Sequence, residues 1–317
     1  MNKKLMVMVG PPGSGKSTFA QKYVEQGFTY INQDSQGKEH LNFFESAILN
    51  GSDVIVDRMG FTKSQRARYI DKAKSYGYET AITVLHVPYA TCLMRCIERQ
   101  GHATIKDETN ARAAIGMFFC NYERVEDHEA DTVQRIWQCV ESLQSMTTPA
   151  IICDLDGTLC NIEHRLHFVR PPPLIDVLGI QDADDLAEKH TKFKKNWNGF
   201  FKAMSEDTPH QWCVDILKHM SKDRTIIFCS GRPDNYRKET YAWLEKHGLT
   251  EKLQFDVYLY MRPRGDQRQD NIVKEIILDF EILPRFKPYL MIDDRQQVVD
   301  MWRKRGYTCL QCAPGGF

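Results

Sequence analysis

The sequence predicts an α/β protein of two domains, each a parallel sheet covered by helices, and three observations carry that prediction. Short β-like runs alternate with longer helical patterns along the 317 residues, which is the rhythm of parallel strands joined by covering helices. Two of the runs end directly in a polar motif. Leu5 to Val9 leads into Gly10-Pro11-Pro12-Gly13-Ser14-Gly15-Lys16-Ser17, and Ala150-Ile151-Ile152-Cys153 leads into Asp154-Leu155-Asp156-Gly157-Thr158. Between them, Ser145-Met146-Thr147-Thr148-Pro149 is short and turn-forming, so the expected domains are 1–147 and 148–317. Each half is long enough to bury its own core.

Taken in order, the strand candidates are Leu5–Val9, Asp53–Val56, Ile82–Val87, Ala150–Cys153, Thr225–Cys229, Val257–Tyr260 and Tyr289–Ile292. Each is a short apolar run, and helical patterns lie between them. Examples are Lys16–Gln26, Lys63–Tyr76, Tyr89–Gln100, Asn235–His247 and Gln296–Arg305. Between residues 161 and 212 the rhythm breaks. That stretch holds Arg170-Pro171-Pro172-Pro173, an acidic run (Asp182, Asp184, Asp185), a basic run (Lys192, Lys194, Lys195) and Trp197-Asn198-Gly199-Phe200-Phe201. It is either a cap inserted over the second motif or a solvated surface insertion. No internal repeat or low-complexity segment is present.

Composition excludes some classes. Forty-two Lys and Arg balance forty-two Asp and Glu, so no global field draws the chain onto nucleic acid, and such binding must use local patches. No signal peptide and no membrane-crossing apolar stretch is evident. The ten cysteines do not read as a disulfide framework: Cys153 and Cys229 sit in apolar strand runs, which fits buried thiols in a reducing cytoplasm. Cys309-Leu310-Gln311-Cys312 has redox or zinc spacing without a second pair, and reads as ordinary side chains of a strand-like stretch. Cys92 and Cys96, with His102, have no better claim to be a metal site.

The first motif, Gly-x-x-x-x-Gly-Lys-Ser between a strand and a helix, is the P-loop signature. Its glycines let backbone N–H groups turn inward around phosphates, and the helix N-terminus adds partial positive charge. Gly10, Gly13, Ser14, Gly15, Lys16, Ser17 and Thr18 form the expected nucleotide-binding set. Lys16 reaches the β and γ phosphates, and the Ser17 hydroxyl is suited to Mg²⁺. Asp34, after Tyr30-Ile31-Asn32, and Asp57, after Asp53–Val56, fall at the carboxyl ends of strands, where open α/β sheets bind ligands. Asp34 is expected to be the general base toward an acceptor hydroxyl, or else a helix cap. Asp57 is expected to bind acceptor or metal, or else to be structural. Arg95 and Arg99 are four apart and share a helix face. Followed by Gly101-His102, they are either a lid over triphosphate or a solvated face.

The second motif resembles motif one of the haloacid-dehalogenase-type phosphotransferases. Asp154 would attack phosphorus and form an aspartyl phosphate. Asp156 would protonate the leaving oxygen and then deprotonate water. Carboxylates attacking an anionic ester repel it, so Mg²⁺ is expected. Ser230-Gly231-Arg232 follows a strand and can hold phosphate, and Lys274 would neutralise the charged intermediate. Asp293 and Asp294 follow Tyr289–Ile292, and one or both would complete the Mg²⁺ shell with Asp154 and Asp156.

Together these residues resemble the T-even phage polynucleotide kinase/3′-phosphatase family, in its kinase-first order. The resemblance is densest in the segment from Arg262 to Lys274 and in that from Ile292 to Trp302. It implies that Arg165, Arg232 and Arg262 hold substrate phosphates, which is sensible chemistry for a bidentate cation. It also supports Lys16, Ser17, Asp34, Asp57, Arg95 and Arg99 in the first half. One departure stands out. The family pattern has an acceptor-gripping arginine where this chain has Gly37, with Lys38 beside it, and a lysine is a point charge rather than a fork.

What the resemblance implies is a bifunctional end-healing enzyme. ATP and Mg²⁺ would serve a 5′-hydroxyl kinase acting on RNA or DNA, and a 3′-phosphatase would follow, which could also open a 2′,3′-cyclic phosphate. A nucleic-acid ligase would be the functional partner, a homo-oligomer the expected state, and the cytoplasm (of the host, if phage-encoded) the location, with no membrane involved. Two other readings stay open: a small-molecule kinase fused to a phosphatase, and a regulatory nucleotide-binding module.

Overall fold

A computed structural model describes residues 3–99, 105, 107–138, 149–171, 193–250 and 257–315. The chain divides into two compact units. The first comprises Met1–Met146 and Leu278–Arg285, and the second Thr147–Ile277 and Phe286–Phe317. His102, Ser145 to Thr148, the acidic run at 182–185 and Lys192 lie outside the described residues.

The first unit is a five-stranded parallel sheet. Its strands are β1 (Lys4–Val9), β2 (Thr29–Asn32), β3 (Val54–Asp57), β4 (Glu79–His86) and β5 (Thr132–Trp137), in the order β2-β3-β1-β4-β5. A parallel sheet covered on both faces needs apolar residues on both sides of its inner strands. Accordingly all four residues of β3 are buried. The register aligns Met8 with Asp57 and Asp57 with Asn32, so three strands end on one carboxyl edge. Helices α1 (Lys16–Val24), α2 (Gln33–Gln36), α3 (His40–Leu49), α4 (Lys63–Ser75), α5 (Tyr89–Glu98) and α6 (Glu108–Asn121) connect and cover the strands. Side-chain caps begin three of them: Asn32 accepts from Ser35 N–H ahead of α2, Thr62 from Gln65 N–H ahead of α4, and Asp107 from Asn110 N–H ahead of α6.

A π-helical turn, Leu278–Ile282, completes this unit's core. Phe280 is fully buried against Phe118, Phe119, Tyr122 and His86, and Glu281 accepts from the Tyr89 N–H at 2.7 Å.

The second unit repeats the architecture. Strands β6 (Pro149–Cys153), β9 (Thr225–Pro233), β10 (Val257–Arg262), β11 (Lys287–Arg295) and β12 (Cys309–Gly315) form a parallel sheet in the order β10-β9-β6-β11-β12. Cys153 aligns with Phe228 on one side and Ile292 on the other, which brings Asp154, Ser230 and Asp293 to one edge. Helices α7 (Trp197–Lys202), α8 (Gln211–Met220), α9 (Arg237–Lys246), α10 (Asp270–Ile277) and α11 (Gln296–Lys304) lie in this unit, as does a two-stranded ribbon of β7 (Cys160–Asn161) and β8 (Thr208–Pro209). Its core includes Ile151, Phe228, Trp243, Leu244 and Ile292. Cys153 and Cys229 are buried free thiols. Among the described residues no helix is long and apolar enough to cross a membrane.

Candidate active sites

The first site is a cavity of about 400 Å³ at the carboxyl edge of the first sheet. Gly13 and Gly15 have φ of 77° and 91°, a region that costs glycine nothing. Gly13 also passes so close to the Cys92 carbonyl that a Cβ would collide with it. Lys16 is 9% exposed, and its ammonium donates to the Pro11 carbonyl at 2.8 Å. Burial lowers its pKa, opposed chiefly by Asp57. Ser17, Thr18, Asp34, Asp57, Arg95 and Arg99 all line the cavity.

Asp57 is buried and accepts from the Tyr30 hydroxyl at 2.6 Å and from the Asn32 amide at 3.2 Å. Asp34 sits on α2, whose first turn the Asn32 side chain caps by accepting from Ser35 N–H. The capping role is therefore filled by Asn32, and Asp34 is exposed at the cavity wall. Arg95 donates to the Gly13 carbonyl at 3.4 Å, on the P-loop side.

Lys38 is exposed and is not among the cavity's lining residues. Arg58 is. Its guanidinium donates to the Tyr69 hydroxyl at 2.9 Å and to the Gln33 side chain, and meets His40 Nε2 at 3.3 Å. The Tyr69 and Gln33 partners are uncharged oxygen groups. Gln33 precedes Asp34, so Arg58 is tied to the helix that carries Asp34. Sequence reasoning missed it, although its place directly after Asp57 at a strand end was the available signal.

The second site is built around Lys274, which is fully buried. Its ammonium donates to Asp154 at 2.7 Å and Asp293 at 2.9 Å, and lies 3.4 Å from Asp270. Burial alone would lower the Lys274 pKa, but these three carboxylates raise it well above the ordinary value. Asp154, Asp293 and Asp294 bring carboxylate oxygens within 4.8 Å of one another. Burial raises the Asp154 pKa, with Asp293 and Asp294 adding to the effect against Lys274. Asp294 is pushed up to about 6, first by burial and then by Asp293. Such a donor set, all oxygen, buried and short of positive charge, suits a hard divalent cation such as Mg²⁺. The Thr158 hydroxyl orients Asp294 at 3.2 Å, and a Cβ on Gly157 would meet Asp294 Oδ2 at 2.5 Å.

Asp156 lies apart from that cluster, in a second one. It accepts from Arg165 at 2.6 Å and from Arg232 at 2.9 and 2.5 Å. Burial works to raise its pKa, yet Arg232 and Arg165 together hold it below the usual carboxylate range. Both arginines are 0% exposed and also pair with buried Asp207. The expectation that they grip substrate directly differs from this arrangement: both arginines are already paired with two carboxylates, Asp156 and Asp207. Asp207, Asp156 and Cys160 could geometrically hold a metal, but the two guanidinium groups already neutralise the carboxylates.

Ser230 is buried, its hydroxyl accepting from the Arg232 N–H at 3.2 Å. A Cβ at Gly231 would collide with Asp270. Arg262 lines the cavity above Asp154 and donates to the Gly231 carbonyl at 2.9 Å and to Asp270 at 3.1 Å. Two residues were missed here. Asp270 had a signal, since it lies four residues before Lys274 and shares its helix face. Asp207 had none, because it sits in the stretch without strand–helix rhythm.

Residues 183–317 match the family described as the polynucleotide kinase PNKP phosphatase domain. The match takes in Lys274, Asp293 and Asp294 and falls short of Asp154. A bifunctional polynucleotide kinase/RNA ligase of Autographa californica nuclear polyhedrosis virus is 22% identical over an alignment covering 95% of this chain and 41% of that protein. A bifunctional polynucleotide phosphatase/kinase of Acanthamoeba polyphaga mimivirus is 35% identical over 24% of this chain and 19% of its own length. The chain thus spans less than half of either relative. A solved structure described as the Pnkp1/Rnl/Hen1 complex aligns over 100% of this chain and 98% of that one, at 24% identity and a TM-score of 0.38, a likeness too slight to bear on function.

Proposed function

We propose that the chain is a bifunctional nucleic-acid end-healing enzyme. The first unit transfers the γ-phosphoryl of ATP to a 5′-hydroxyl of RNA or DNA. The second hydrolyses a 3′-phosphate. The observation that carries this reading is the buried Lys274 bridging Asp154 and Asp293, in a chain whose other sheet edge sets Lys16 and Asp34 around one cavity. The names of the viral relatives supply the polynucleotide as substrate.

In the first unit the P-loop amides and Lys16 hold the β and γ phosphates, and Arg95 and Arg99 stabilise charge on the migrating group. Asp34 accepts the proton of the 5′-hydroxyl as its oxygen bonds to phosphorus and the bond to ADP breaks. Ser17, with Asp57 behind it, would hold Mg²⁺ against the triphosphate. Arg58 faces the acceptor and takes the place left by Gly37.

In the second unit Asp154 attacks phosphorus and the P–O3′ bond breaks, with the proton for the departing oxygen coming from Asp156. Water then attacks phosphorus, the bond to Asp154 breaks and inorganic phosphate leaves, with the water's proton passing to Asp156. Mg²⁺ held by Asp154, Asp293 and Asp294 would neutralise the charge that otherwise repels the ester. Lys274 fixes Asp154 in its attacking position, and Ser230 and Arg262 orient the phosphate. Arg165 and Arg232 position Asp156 through their ion pairs with it. The products, a 5′-phosphate and a 3′-hydroxyl, are the ends that a ligase joins.

Two oligonucleotides test this, one with a 5′-hydroxyl and one with a 3′-phosphate, each with ATP and Mg²⁺. Lys16→Ala should abolish 5′ phosphorylation and spare phosphate release, and Asp154→Asn should do the reverse. Phosphorylation that survived Lys16→Ala would refute the kinase half. Continued phosphate release by Asp154→Asn would refute the aspartyl nucleophile.

A further inference from the structure

We propose that Trp197 and Phe201 form a stacking platform at the mouth of the phosphatase cavity, which binds the unpaired nucleobase next to the 3′-phosphate. This rests on the reading of the second unit as a polynucleotide 3′-phosphatase. It assigns a binding role to the aromatic segment inside the 161–212 stretch.

The cavity above Asp154 and Asp156 measures about 420 Å³, and Lys195, Trp197 and Phe201 form part of its wall. Trp197 is 42% exposed. A residue of this size normally buries its ring in a core or an interface. Here the indole lies near-parallel to Phe201, with centroids 6.0 Å apart at 22°. Part of the indole is therefore open to solvent beside the reacting groups.

The platform is held rigidly. Phe200 is buried and meets Trp197 edge-on at 5.7 Å. The Arg165 guanidinium stands 4.1 Å from the Phe200 centroid while donating to Asp156. One chain of contacts thus sets the indole at a defined place relative to Asp156. The Asn196 side chain caps α7 by accepting from Gly199 N–H at 2.9 Å, and Gly199 lies where a Cβ would press on the Phe168 ring at 2.8 Å.

Charge favours the same occupant. The Lys195 ammonium lies over the indole, 5.4 Å from its centroid, and Arg262 and Arg268 also line the cavity. A π surface with cations around it is the arrangement that binds single strands without regard to sequence, since every base has a π face. A paired base would have to give up its partner and its stack to reach the indole, so the occupant is an unpaired end.

The test compares two single-stranded oligonucleotides bearing a 3′-phosphate, one with ordinary bases and one whose last two nucleotides are abasic. With wild-type enzyme, the abasic end should show a KM higher by about tenfold, the scale of one lost stacking contact. Trp197→Ala should raise KM for the base-bearing end by about tenfold and change the abasic end by less than about twofold. Trp197→Phe keeps a smaller ring and should fall between. Equal losses on both ends would mean that Trp197 only supports the fold, and no loss on either would mean that no base is bound there. Both results overturn the proposal. If the wild type released phosphate from neither oligonucleotide, the polynucleotide reading itself would fall, and the platform with it.

Discussion

Arg58 and Lys38 separate two ways of supplying a cation to the acceptor side of the first cavity. Lys38 is adjacent in sequence to the position where an arginine was expected, yet its side chain is exposed away from the lining. Arg58 is remote in sequence from that position but shares the wall with Asp34. Three of its N–H groups are engaged by Tyr69, His40 and Gln33, and a guanidinium carries five. Two donors and the charge are therefore available to an acceptor phosphate. Arg58→Ala should raise KM for a 5′-hydroxyl oligonucleotide by about tenfold, the worth of one charged hydrogen bond. It should leave KM for ATP within about twofold, while Lys38→Ala changes neither by that much. Steady-state kinetics with each substrate varied in turn would check this. Residues such as Asp154, Lys16, Asp293 and Asp294 were legible because a strand end or loop motif names them locally. Arg58 and Asp207 were not named, and Trp197 was noted without a role, because what defines their roles is which distant side chains fold against them.

Elements follow the same division. The inner strands β1, β3, β4, β6, β9 and β11 were readable from apolar runs, since burial on both faces demands apolar residues there. β5 was missed: it is the edge strand, and none of its six residues is buried. β2, four residues long and half-buried at its start, read only as a short apolar segment. The π-helical turn Leu278–Ile282 was unreadable for another reason, because no local pattern says that a segment so late in the chain joins the first unit's core. Phe280 gives that turn its weight. It is fully buried among three aromatic residues and His86, so Phe280→Ala leaves a cavity and should cost about 3–5 kcal/mol. The loss belongs to the first unit. After incubation at rising temperatures, the variant should lose kinase activity at a lower temperature than wild type and keep its phosphatase midpoint within a few degrees.

For the whole molecule, formal net charge is zero, so attraction to a polynucleotide has to arise from a few cations at each site. Arg58, Arg95 and Arg99 line one cavity, and Lys195, Arg262 and Arg268 line the other. Several of these already serve the protein: Arg262 is engaged by Asp270 and by backbone carbonyls, and Arg268 by Asp266. Each site is thus left with one or two cations for strand phosphates. Every phosphate neutralised on a single strand contributes about 0.7 to the slope of log affinity against log salt. The dependence of log KM on log salt should therefore have a slope of about 0.7 to 1.4 for either activity, with ATP saturating in the kinase assay. A protein that met nucleic acid across a broad basic face would give a far steeper line. Because the cations are separate, Arg58→Ala should flatten the kinase slope by about 0.7 and leave the phosphatase slope unchanged, whereas Lys195→Ala should do the opposite. Slopes near zero for the wild type in both assays would instead favour a small neutral acceptor and a small phosphate ester as the substrates of this two-site chain.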